Sequence, residues 1–245
     1  MAKFGKWIGG GLGWAVGGPI GAIFGFMIGS AFDSAGTVTQ HGFRETVQNV
    51  RTTTGGYVMS LLVLVAAVMK ADGRVLKSEL DYVKKFLVQN FGADSAKEAL
   101  KMLQDILRQT IPVDDVCRQI EQNMNYSSRL QLMHFLFGIA NADGQVAPSE
   151  LQLIDRIGRS MGINYSDFES IKAMFVKNTG AAYKILGIET TATNEEVKTA
   201  YRKMAMKYHP DKVSYLGEEF REAAKEKFQK VNQAYQTIKD ERHIV

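Results

Sequence analysis

The sequence predicts an all-α chain: an N-terminal membrane helix, a bundle of seven helices and a C-terminal helical hairpin. Three observations predict it. Apolar residues recur at three- and four-residue spacing from Tyr57 to the C-terminal end. No stretch alternates apolar and polar residues as a half-buried strand does. Ten of the 23 glycines fall within the first 30 residues, nine of them in a run without charge. A single cysteine excludes an internal disulfide framework and any multi-cysteine zinc or iron–sulfur site. A charged fraction of 23% in 245 residues excludes disorder along the whole chain.

From Trp7 to Phe32, 26 consecutive residues carry no charge. Crossing a hydrocarbon core of ~30 Å takes about 20 helical residues, so residues 1–32 are expected to form a membrane segment. Gly9, Gly13, Gly17, Gly21, Gly25 and Gly29 recur every fourth residue. On a helix they make one ridge without side chains, the kind of face on which membrane helices pair closely. A homodimer through that ridge is expected. In water each glycine would cost about 1 kcal/mol against alanine, which disfavours a soluble helix here. Pro19 is better tolerated in a membrane helix than in a soluble one. A hairpin turning near Gly17–Pro19 would leave two arms too short to cross, so a single span is expected. A cleaved signal peptide starting at Lys3 and Lys6 would carry a shorter apolar core, of about 7–15 residues, and a small-residue cleavage site. The pattern resembles the glycine-zipper segments of bacterial membrane proteins. Lys3 and Lys6 before the span, and Asp33, Arg44, Glu45 and Arg51 after it, give no clear vote on orientation.

Residues 33–54 are small and polar and read as a tether, with His41 as a surface histidine. Residues 55–176 read as the bundle. Leu61, Leu64, Val65, Val68 and Met69 mark a first helix; its run LLVLVAAVM is too short to span a bilayer and reads as a buried core helix. Leu80, Val83, Phe86 and Leu87 mark a second, and Ala99, Leu103, Ile106 and Leu107 a third. Residues 113–123 follow Pro112 with Asp114 and Asp115 in the first turn, a helix-start signature. Leu132, Phe135, Leu136 and Ile139 mark a fifth helix, Leu151, Ile154 and Ile157 a sixth, and Phe168, Ile171 and Phe175 a seventh. About 120 residues suffice for a core of their own.

The bundle repeats itself. Ala71-Asp72-Gly73-Arg74-Val75 returns as Ala142-Asp143-Gly144-Gln145-Val146, and Ser78-Glu79-Leu80 as Ser149-Glu150-Leu151, both at an offset of 71 residues. Asp-Gly followed by Glu resembles the back half of an EF-hand loop, but the front positions hold Val68 and Lys70, or Ile139 and Asn141, so ordinary calcium binding is not expected. Two readings stand. In one, the glycine ends the incoming helix in a left-handed conformation, Val75 or Val146 plugs the core, and the glutamate accepts amide hydrogens at the start of the outgoing helix. In the other, Asp72, Glu79, Asp143 and Glu150 gather into an acidic site for a divalent metal or a partner. The doubled motif in an all-helical unit resembles the TerB-like (tellurite-resistance B) domain, whose paired acidic positions are suspected of binding metal. Nothing in the sequence handles tellurium chemistry.

Residues 181–245 carry the strongest signals. Tyr183–Gly187 reads as a short helix ended by glycine. Thr193 and Glu196 spell a capping box. Val197, Ala200, Tyr201, Met204 and Tyr208 stripe the helix that follows, and Lys198, Arg202, Lys203 and Lys207 make its other face basic. Pro210 stops it. Phe220, Ala224, Phe228, Val231, Tyr235 and Ile238 stripe a last helix. His209, Pro210 and Asp211 sit at the tip with no core task expected of them. A general-base role for His209 lacks a neighbouring nucleophile or a phosphate-cradling loop, so no enzyme of its own is expected. Acidic residues in the loop and in the last helix argue against nucleic acid as the partner of the basic face.

YKILG, EEVKTAYRKMAMKYHPDK and EKFQKVNQAYQTI closely resemble the J domain of DnaJ-type co-chaperones. The resemblance implies that the basic helix docks on the acidic surface of a DnaK-type chaperone. It also implies that His209, Pro210 and Asp211 trigger the partner's ATP hydrolysis. The short fourth helix of many J domains is missing, as are the glycine/phenylalanine linker and the zinc-binding and client-binding modules of general DnaJ proteins. The whole order is similar to that of the membrane-anchored DnaJ-like co-chaperones of bacteria. It implies an inner-membrane protein with one span and a cytoplasmic body, the bundle recruiting a client or regulatory partner. The competing expectation is a metal- or envelope-stress-sensing bundle with an auxiliary J domain.

Overall fold

The run from Leu61 to Met69 is apolar on every face, so a helix made of it must be surrounded. In a computed structural model, which describes residues 18–23, 54–176, 180–216 and 218–242, it is. Helix α1 (Thr54–Met69) forms the centre of the bundle, and no residue from Leu61 to Met69 is more than 6% exposed. Around it lie α2 (Lys77–Leu107), α3 (Val113–Asn123), α4 (Tyr126–Ala140) and α5 (Pro148–Ser160), with α6 (Tyr165–Ala173) packed on α4. Helix α4 is a second central helix, buried at every position from Leu130 to Ala140. The described residues contain no strand.

The second and third expected helices are the two halves of α2. Gly92 breaks it with φ 77° and ψ 167°, a conformation that costs glycine little and other residues much. The stripe on the first half is narrower than expected. Val83 and Leu87 are buried, but Leu80 lies on the outer face, 40% exposed.

The repeat is a structural one. Helices α1 and α4 lead into the two Asp-Gly turns, and α2 and α5 leave them. Asp72 Oδ1 accepts from the Arg74 amide at 2.9 Å, and Asp143 Oδ1 from the Gln145 amide at 3.0 Å. Gly73 and Gly144 turn the chain at φ 80° and 93°. The first-turn glutamates behave as the capping reading expects: Glu79 accepts from the Leu76 amide and Glu150 from the Ala147 amide, each at 2.8 Å. One part of that reading is corrected. Val146 packs on the core, but Val75 is 46% exposed and plugs nothing.

The C-terminal unit comprises α7 (Ala181–Leu186), α8 (Asn194–Lys207), a 3-10 turn (Pro210–Leu216) and α9 (Glu218–Arg242). Helices α8 and α9 pair, and α7 packs on α9. Arg242, from the last turn of α9, donates to the Tyr183 hydroxyl at 2.8 Å and bonds the Thr190 and Ala192 carbonyls, tying both ends of the unit together.

Of the expected membrane segment, residues 18–23 are described. They are helical, with Ile20 and Ile23 buried and the Ile20 amide donating to Gln119 Oε1 of α3 at 2.9 Å. Among the described residues no helix is long and apolar enough to cross a membrane. Of the six ridge glycines only Gly21 is among them; Gly9, Gly13, Gly17, Gly25 and Gly29 lie outside the described residues.

Candidate functional site

Helix α8 starts as its sequence dictates. Thr193 Oγ1 accepts from the Glu196 amide at 3.3 Å, and Glu196 Oε2 accepts from the Thr193 amide at 2.7 Å. That backbone bond holds the Glu196 carboxyl below its usual range. Val197, Met204 and Tyr208 are buried on the inner face, and Tyr201 stacks on Tyr235 with centroids 4.2 Å apart. The four cations are not equally free. Arg202 and Lys203 are exposed; Lys198 is half-buried beside Glu195, at 3.6 Å, and Lys207 is half-buried as well.

The His209-Pro210-Asp211 loop is braced from within. The side chains of His209 and Asp211 are 50% and 72% exposed. The Asp211 amide donates to His209 Nδ1 at 3.3 Å, and the Lys212 amide to the His209 carbonyl at 3.0 Å. The His209 ring meets Phe228 of α9 edge-on at 5.6 Å. Pro210 is buried, which corrects the expectation that none of the three has a core task. Its ring anchors the tip while its neighbours stay open to a partner.

Of the four repeat acids, Glu79 and Glu150 meet, while Asp72 and Asp143 stay exposed at the turns. Glu79 and Glu150 are both buried, at 3% and 6% exposure, and hydrogen-bonded to each other. Burial, joined by the charges of Glu150 and Asp72, pushes the Glu79 carboxyl up to about 7. Burial also raises Glu150, with Asp72 and Asp143 adding to it. Among the described residues, however, no three His, Cys, Asp or Glu side chains stand close enough to hold a metal ion.

Sequence reasoning misses the contacts that join the two units. Asp167 of α6 is wholly buried. Its Oδ2 accepts from the Tyr126 hydroxyl at 2.6 Å and from Asn164 Nδ2 at 2.9 Å, and its Oδ1 pairs with the ammonium of Lys207 at the end of α8. Ser170 Oγ donates to the Ile185 carbonyl at 2.6 Å, and Lys230 Nζ to the Met174 carbonyl at 3.0 Å. Ser128 of α4 bonds the Tyr215 hydroxyl. Lys227 is buried to 3% exposure, its ammonium 4.8 Å from the Tyr208 ring; burial lowers it to about 7, opposed by Asp167. A lysine does not announce such burial. The helical period that places Val231 and Ala234 inside is the one clue to it.

Comparison with known proteins gives the same three parts in the same order. Residues 1–47 match the family of the co-chaperone DjlA transmembrane domain, residues 59–173 the tellurite resistance protein TerB, and residues 181–244 the DnaJ domain. The co-chaperone protein DjlA of Coxiella burnetii is 28% identical, with 100% of both chains covered. That of Vibrio cholerae is 29% identical over 92% of this chain and 97% of its own, and that of Haemophilus influenzae 26% identical over 97% and 98%. No solved structure matches. With those three domains in that order and relatives alike from end to end, the chain belongs to the DjlA-like, membrane-anchored J-domain co-chaperones.

Proposed function

We propose that the chain stimulates ATP hydrolysis by a DnaK-type chaperone beside the membrane, acting as an activator and not as an enzyme. One observation carries this reading: an exposed His209 and Asp211, braced on a buried Pro210, directly follow a helix whose outer face is basic. Lys198, Arg202, Lys203 and Lys207 steer and seat the acidic partner, and His209, Pro210 and Asp211 deliver the trigger. The body lies in the bacterial cytoplasm, where DnaK-type chaperones work, and one span crosses the inner membrane. Two copies pair through the glycine ridge, and the bundle recruits a client or regulatory partner. Full-length protein in proteoliposomes should accelerate ATP turnover by a DnaK-type chaperone, and His209→Gln should abolish the effect with the circular dichroism spectrum unchanged. Full stimulation by that variant would refute the reading.

The buried Glu79–Glu150 pair favours a second reading, in which the bundle senses a divalent metal with Asp72 and Asp143 assisting. Calorimetric titration of divalent ions, with Glu79→Gln and Glu150→Gln as controls, should then show heat only in the unsubstituted chain. Absence of binding heat removes this reading.

A further inference from the structure

The trigger loop and the docking helix are presented differently. His209 and Asp211 face open solvent. The face of α8 next to them looks into a cleft of ≈ 1260 Å³ between the two units. Thr199, Lys203 and Lys207 line one wall, and Asn164, Asp167 and Glu169 of the bundle line the other. A chaperone that approaches the whole length of α8 therefore meets α6 on one flank. Lys207 is already engaged by the buried Asp167.

The chemistry of the contact is that of a separable interface. Permanent interfaces inside a protein are mostly apolar. This one pairs a buried acid with a half-buried lysine and buries the Lys227 ammonium and His134, whose Nε2 has no hydrogen-bond partner among the described residues. Burial drives His134 well below its ordinary value, with Lys227 and Lys230 adding to it, so a cation there is disfavoured while the units are together. Asp167 does for Lys207 what an acidic chaperone surface would do, and withdrawing Lys207 strips a fully buried acid of its charge partner.

We propose that the TerB-like bundle is an internal competitor for the chaperone: α6, through Asp167, holds Lys207 and shields one flank of α8, so that the chain grips a DnaK-type partner fully only when the two units part. This rests on the reading of α8 as the docking helix. A client or partner that pulls α6 from the J domain would then raise activity, which couples recruitment by the bundle to chaperone engagement.

The test uses the full-length chain in proteoliposomes and two variants, Asp167→Asn and Lys230→Ala. The second removes a half-buried contact to the Met174 carbonyl and keeps the comparison sound should the first perturb the fold. Hydrogen exchange of amides in α6 and α9 reports separation, and DnaK-type ATP turnover against chain concentration reports grip. Exchange should quicken in both variants, and the concentration for half-maximal stimulation should fall by about fivefold or more with the maximal rate unchanged. Quickened exchange with an unchanged or higher half-maximal concentration overturns the proposal. So does unaltered exchange in both variants, since these contacts would then not hold the units together. Stimulation by neither the variants nor the unsubstituted chain would instead bring down the functional reading, and the competitor with it.

Discussion

Glu79 and Glu150 are the first-turn caps of their helices and each other's neighbours, and the two roles pull in opposite directions. An amide donor favours the charged carboxylate, whereas burial and a second acid beside it favour the neutral form. Burial wins at Glu79, which is pushed from 4.5 to about 7. The folded chain therefore binds more protons than the unfolded one between those two values, and stability falls as pH rises through that window. Glu79→Gln keeps an acceptor for the Leu76 amide and removes the charge. The variant should match the unsubstituted chain in unfolding free energy, read by denaturant titration, near pH 4. It should exceed it at pH 8 by on the order of 1–2 kcal/mol, since a tenfold change in proton affinity is worth about 1.4 kcal/mol and the two carboxyls share the proton. A variant less stable than the unsubstituted chain at pH 8 would show that the charged carboxylate stabilises the fold there, against this reading. At this scale the caps are legible in sequence, because Glu three residues inside a helix start is a local pattern. The meeting of the two glutamates is legible only as one of two alternatives. It depends on how the two repeat copies pack, and a 71-residue offset fixes no distance.

Elements are legible in proportion to how unambiguous their pattern is. Helix α1, apolar all round, could only be central, and α8 carries a capping box, a stripe and a stop. The inner face expected of α2 includes Leu80 and the expected plug is Val75, yet both are exposed. Spacing says which residues share a helical face but not how much of that face a neighbour covers. The kink at Gly92 falls between two stripes, and a break between stripes looks the same in sequence as a gap between helices. The N-terminal element has the strongest pattern of all, and its prediction follows from the pattern alone. A ridge of six glycines lets two backbones approach, and one leucine on it holds them apart. Gly17→Leu should therefore lower the signal of a membrane two-hybrid assay for self-association, and the same substitution at Val16, off the ridge, should not. Equal signals for the two variants would exclude the ridge as the interface.

For the molecule as a whole, charge is a matter of placement. The net +4 conceals four cations on α8, of which Lys207 is spent on Asp167 and Lys198 is half-covered. The bundle and the J domain touch. Which surfaces touch is not implied by the sequence, and the answer bears on the proposed function because one of them is α8, the helix proposed to dock the chaperone. The sequence by itself determined the helical class, the three parts and their order, the repeat, and the His209-Pro210-Asp211 loop with the basic helix before it. Each of these is written in residues close together along the chain, through period, cap and stop. Only the tertiary structure decided that Pro210 is an anchor, that Lys227 is buried, and that Asp167, Tyr126 and Lys207 form one network. The partners in that network are 40 or 41 positions apart. Their partnership comes from long-range packing, for which local pattern carries no signal.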